Sequence, residues 1–139
     1  MADPRDRTER IKKVLSLLLA EDDTSLRETL YMFFASQGFQ VYPAETGQEA
    51  IDIVLKEKIS FSVMDINLPV LSGIEAFKTI KKQVGSMPCI FMSGDSSLEV
   101  MLKALNAGGF TFLAKPIQME LMRHSVNRLI GKYFGEQKP

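Results

Sequence analysis

An α/β fold built on a doubly wound parallel sheet is what this sequence predicts. Short apolar runs alternate with stretches of helical period along nearly the whole chain, the pattern of successive strand–helix units. The first run, Val14–Ala20, is apolar apart from Ser16, as a central strand buried on both faces must be. Asp22, Asp23, Asp65, Ser93 and Lys115 each stand at or just past the end of such a run, and in a parallel sheet those ends share one edge.

Residues 1–13 are mostly charged and read as a mobile N-terminal arm with room for a short helix at Arg7–Lys13. After the first strand, Leu26, Leu30, Phe33 and Phe34 recur at helical spacing until Gly38. Phe39–Tyr42 is a short strand, and Thr46 with Glu49 forms a capping box for a helix through Lys56. Phe61–Met64 is the third strand; Pro69 and Gly73 shape the loop after it. Ile74, Phe77, Ile80 and Lys81 make a helix ending near Gly85, and Pro88–Met92 is the fourth strand. Leu98, Met101, Leu102 and Leu105 are the apolar stripe of the next helix. Phe110–Ala114 is the fifth strand, and the last helix carries Met119, Met122, Val126, Leu129 and Tyr133. Residues 14–134 are therefore expected to form one domain, with a tail at 135–139 and no room for a second domain after Tyr133; right-handed crossovers leave few topologies.

Lys and Arg total 17, as do Asp and Glu, so the formal net charge is zero, against a dedicated nucleic-acid surface. No apolar run is long enough to span a bilayer, and the first residues hold no apolar leader segment, so a cytoplasmic location with no membrane partner is expected. Cys89 is the single cysteine, excludes an internal disulfide, and reads as an inert buried thiol. His124 reads as a surface residue. No glycine-rich phosphate loop is present, so no organic cofactor is expected.

The strand-end residues carry the chemistry. Acids after a strand often serve the N-terminus of the following helix, but Asp65 closes an apolar strand where a lone carboxylate has no packing role. Three carboxylates together repel unless a cation sits among them, and Mg²⁺, with Mn²⁺ as a substitute, suits oxygen ligands completed by a phosphate. A hydroxyl from Ser93 and an ammonium from Lys115 would neutralise phosphoryl oxygens during transfer. Pro116 fixes the chain directly after Lys115.

Leu19-Ala20-Glu21-Asp22-Asp23, Met64-Asp65-Ile66-Asn67-Leu68-Pro69 with Gly73, Phe91-Met92-Ser93-Gly94, Ala107-Gly108-Gly109 and Phe112-Leu113-Ala114-Lys115-Pro116 occur in that order. Together they resemble the receiver domain of bacterial two-component response regulators, over Val14–Tyr133. The resemblance implies a flavodoxin-like five-stranded sheet of order 2-1-3-4-5 with helices on both faces. It implies that Asp65 accepts a phosphoryl group from a phosphohistidine. Asp23, Asp65 and the backbone carbonyl of Asn67 would ligate the metal, with Asp22 acting through metal-bound water. Lys115 would pair with Asp65, Ser93 and Phe112 would form the switch, and the Lys115–Pro116 peptide would be cis. Asn67 and Asp95 would tune the lifetime of the phosphorylated state. Phe112 stands where tyrosine is common, and Gly94 and Gly109 where alanine is usual.

The expected function is therefore a single-domain receiver: a phosphorylation-controlled protein-interaction switch, self-phosphorylating with Mg²⁺ but not an enzyme on an external substrate. Its expected partners are a histidine kinase or histidine phosphotransfer protein, a downstream protein and a second copy of the chain. Val100, Lys103 and Leu121, off the apolar stripes, are the expected partner face. One alternative is a receiver fold that binds without phosphorylation. Another is a phosphatase passing through an aspartyl phosphate, but Asn67 occupies the position where such enzymes place their proton donor.

Overall fold

Leu15–Ala20 are buried at every position, and the last five of them pair as a strand. The computed structural model describes residues 3–135. Its elements run α1 (Pro4–Val14), β1 (Ser16–Ala20), α2 (Thr24–Ser36), β2 (Gln40–Ala44), α3 (Gly47–Lys56), β3 (Phe61–Asp65), α4 (Gly73–Val84), β4 (Cys89–Ser93), α5 (Leu98–Asn106), β5 (Thr111–Ala114) and α6 (Met119–Tyr133). The strands form one sheet in the order β2-β1-β3-β4-β5, every pair parallel. This is the flavodoxin-like topology that the sequence led us to expect.

Side chains alternate across each central strand and build two apolar layers. Leu18, Ala20, Met64, Cys89 and Phe91 face α3, α4 and α5. Leu17, Leu19, Phe61, Val63, Ile90 and Met92 face α2 and α6. β1, β3 and β4 are buried throughout, so their apolar runs are explained by helices on both faces. The helices start where short polar side chains stop the chain: Asp23, Thr46, Ser72 and Ser97 each accept a hydrogen bond from the backbone N–H three residues on.

Three expectations need correction. Val14 is not a strand residue: it is the last residue of α1 and 80% exposed. The arm expected at residues 1–13, with a short helix at Arg7–Lys13, gives way to a longer helix over Pro4–Val14 docked on the sheet end. Its Ile11 packs on the α2/α6 layer, and the buried Lys12 donates to Gln37 Oε1 at 3.0 Å. Residues 1–2 and, apart from Gly135, the tail at 135–139 lie outside the described residues.

The third correction concerns α5. Its expected core stripe faces solvent, with Leu98 69%, Leu102 47% and Leu105 41% exposed. The face turned to the sheet carries Val100, Ala104 and Ala107. The rings of Phe77 and Phe91, edge to face at 5.4 Å, already fill this layer, so the helix above them must present small residues. The same crowding explains Gly109: a Cβ there would stand 2.7 Å from the Phe91 ring and 2.9 Å from Ala104 O. On α6, Met122, Val126 and Leu129 are buried as expected, while Tyr133 is half exposed.

Candidate functional site

The parallel ladder brings the ends of β1, β3, β4 and β5 to one edge, with Asp65 opposite Met92 and Ser93 opposite Ala114. Asp65 is the last residue of β3 and is buried. Its Oδ1 accepts the backbone N–H of Asn67 at 2.8 Å, and its Oδ2 accepts the Lys115 ammonium at 2.7 Å. Lys115 extends from just past β5, and its peptide bond to Pro116 is cis. Gly73, at the start of α4, presses on the backbone here: any Cβ would collide with the carbonyl oxygen of Asp65.

The third member of the ion-pair network is Glu21. It continues the β1–β2 ladder through its N–H to Ala44 O and is fully buried. Lys115 Nζ lies 2.6 Å from Glu21 Oε1, a buried ion pair. Glu21 Oε2 accepts the Asp23 N–H at 3.1 Å. Burial pushes the Glu21 carboxyl up to about 7, with the Asp65 charge adding to the rise and the Lys115 and Asp23 hydrogen bonds opposing it. For Lys115, burial pulls the ammonium down, but hydrogen bonds to Asp65 and Glu21 together outweigh it and hold it above its ordinary value.

Glu21, Asp22 and Asp65 offer carboxylate oxygens within 4.8 Å of one another. With all three ionised, the Lys115 ammonium offsets one charge and two remain, the charge of a divalent cation. The donor set is all oxygen, and Glu21 stands wholly buried at its edge. These residues fit a hard cation such as Mg²⁺.

The structure thus brings together Asp22, Asp65, Ser93 and Lys115 but not Asp23. Asp23 is exposed and caps α2, its Oδ1 accepting the Leu26 N–H at 3.1 Å. Sequence reasoning missed Glu21. The available signal was spacing: Glu21 directly follows the buried run, whereas Asp23 stands three residues before the first apolar residue of a helix, where a cap belongs.

Ser93 is buried at the end of β4, and its Oγ accepts from Asn67 Nδ2 at 3.3 Å and from the Asp95 N–H at 3.0 Å. Asn67 itself is exposed. The exposed Asp95 carboxylate is held below its usual range by the Ser97 N–H, which it accepts at 3.0 Å. Phe112 is half-buried against the α3/α4/α5 layer, as is Val100. Lys103 is exposed and ion-paired with Glu99 at 3.5 Å, and Leu121 is 46% exposed. His124 is exposed on α6, away from this edge.

Known proteins share this fold. The family model described as response regulator receiver domain matches residues 17–127. The chain belongs to that family. Among curated relatives of this receiver, the cell cycle transcriptional regulator CtrA of Caulobacter vibrioides is 26% identical over 121 residues, covering 87% of this chain and 52% of the relative. The receiver therefore spans about half the length of that relative. A solved receiver domain of the Francisella response regulator 1452 superposes with a TM-score of 0.79 at 27% identity, covering 85% of this chain and 98% of that one. A CheX–CheY–BeF3–Mg²⁺ complex from Borrelia burgdorferi shares the fold at a TM-score of 0.79 and 23% identity, over 84% of this chain and 89% of that one. No helix among the described residues is long and apolar enough to cross a membrane.

Proposed function

We propose that this receiver accepts a phosphoryl group on Asp65 from a phosphohistidine and acts as a phosphorylation-dependent protein-interaction switch. One observation carries the reading: a buried strand-end carboxylate bonded to an ammonium and grouped with two more carboxylates. An Asp65 oxygen forms the new bond to phosphorus as the donor's N–P bond breaks, its electron pair remaining on the imidazole nitrogen. Asp22, Asp65 and the Asn67 carbonyl would hold Mg²⁺, with Glu21 beside them; Asp22 takes the direct role that sequence reading gave to Asp23. The cation supplies positive charge against the incoming phosphoryl oxygens. Lys115 orients Asp65 and then meets the phosphoryl group, and the Ser93 hydroxyl donates a hydrogen bond to a phosphoryl oxygen. Asn67 and Asp95 tune hydrolysis from their positions beside Ser93.

The donor would be a histidine kinase or histidine phosphotransfer protein. The output surface is best sought on α5 and the start of α6, where Leu98, Leu102, Leu105 and Leu121 are exposed beside Lys103. Val100 contributes from beneath, since it packs on the same layer as Phe112. A downstream protein or a second copy of the chain would dock there.

The test is to incubate the chain with Mg²⁺ and a small phosphodonor and map the label. The expected result is one acid-stable, base-labile label on Asp65, absent in Asp65→Asn and absent when the metal is chelated. Label at the parent level in Asp65→Asn would overturn Asp65 as the phosphoacceptor, and a parent chain that takes no label with Mg²⁺ would favour a receiver fold that binds without phosphorylation.

A further inference from the structure

Asn67 touches both halves of the site. Its backbone N–H donates to Asp65 Oδ1 at 2.8 Å, and its side-chain amide donates to Ser93 Oγ at 3.3 Å. The backbone on either side is pinned. Ile66 N–H donates to Met92 O at 2.8 Å, and Ser93 O accepts the Lys115 N–H at 2.9 Å. A change in the Ser93 hydroxyl is therefore a side-chain rotation on a held backbone.

A serine hydroxyl has two acceptor sites and one proton. Asn67 Nδ2 and the Asp95 N–H engage both acceptor sites. Its proton has no acceptor among the described residues, although Ser93 is fully buried.

We infer that Asn67 is a latch on the switch: it holds the Ser93 hydroxyl in its resting orientation and releases it when Asp65 carries a phosphoryl group. The inference rests on the phosphoacceptor reading of Asp65. Its physical basis is competition for the orientation of one amide, whose two N–H groups lie in one plane. In the resting chain Nδ2 has a neutral hydroxyl as acceptor, at the long end of hydrogen-bond range. Phosphorylation puts anionic oxygens on a carboxylate to which Asn67 is already bonded, and charge-assisted bonds are roughly twice as strong as neutral ones. The amide turns toward the anion, and the long bond to Ser93 is given up. Ser93, relieved of one donor, turns its free proton toward the same anion. Asn67 is a positioning residue in this step; it acts through Ser93 and makes no covalent bond.

A double-mutant cycle over Asn67→Ala and Ser93→Ala in the full chain tests the latch, read in two ways. Urea unfolding in chelator gives the coupling of the two side chains in the resting protein. The binding constant of beryllofluoride with Mg²⁺, followed by the amide resonances of Gly94–Ser97, gives the change in that coupling on activation. The latch requires a coupling of about two- to tenfold in the unfolding equilibrium, the net worth of one hydrogen bond. It also requires Asn67→Ala to weaken beryllofluoride binding less in the parent than in Ser93→Ala, because only the parent has a latch to relieve. Ser93→Thr, which keeps the hydroxyl, must retain the coupling. No coupling in unfolding, or equal losses in the two backgrounds, overturns the latch. A parent that binds no beryllofluoride in Mg²⁺ overturns the phosphoacceptor reading itself, a result distinct from both.

Discussion

Glu21 and Asp23 stand two residues apart and do different work. Glu21 is still on the strand ladder, so its side chain is buried toward Lys115 and Asp65. Asp23 has left the ladder and caps α2. The expected consequence is a clean separation by mutation. Glu21→Gln removes a charge from the carboxylate cluster and should weaken Mg²⁺ binding by roughly 10- to 100-fold, the usual cost of altering a group that supports a metal site. Asp23→Ala should leave Mg²⁺ binding within twofold but lower stability by about 1 kcal/mol through loss of the cap. Calorimetric Mg²⁺ titration and urea melts on both variants check this; the reverse pattern would return the metal role to Asp23.

Helices α4 and α5 show how contact with the sheet selects residues that sequence pattern ranks low. Gly73 begins α4 against the Asp65 carbonyl, so Gly73→Ala forces the helix start away from the phosphoacceptor. Its expected cost is about 1–3 kcal/mol, as for other overpacked sites, with phosphorylation falling as well. Acyl-phosphate labelling beside urea melts will show whether the two effects travel together. On α5, Ala104 is the fully buried position. Ala104→Leu should destabilise by about 1–3 kcal/mol, whereas Leu98→Ala and Leu102→Ala at the exposed stripe should stay within about 0.5 kcal/mol. Were the leucine stripe the core, the ranking would invert.

Across the whole molecule, two apolar layers share the central strands, and Cys89 begins β4, completely buried. Burial pushes its thiol up to about 12, the neighbouring Ser62 hydroxyl opposing only in part. A thiol reagent at neutral pH should therefore leave the folded chain unlabelled, and the labelling rate in urea should track the unfolded fraction. Fast labelling of native protein would show that the α3/α4/α5 layer opens without global unfolding.

The strand–helix alternation, the strand-end positions of Asp65, Ser93 and Lys115, and the cap at Thr46 were legible in the chain because each depends on local order: period, burial run and turn chemistry. Through the ordered motifs, resemblance supplied the sheet order and the family. Spacing hinted at which acid faces the lysine, but the tertiary structure decided it, and it alone decided which side of α5 meets the sheet and that residues 4–14 dock as a helix. Those depend on where the ladder ends and on how much space Phe77 and Phe91 leave, and neither is written in the spacing of apolar residues. Asp22 and Asp23 look alike in sequence and Leu102 looks more buried than Ala104; the packed sheet separates the first pair by one residue of register and reverses the second by the volume of two aromatic rings.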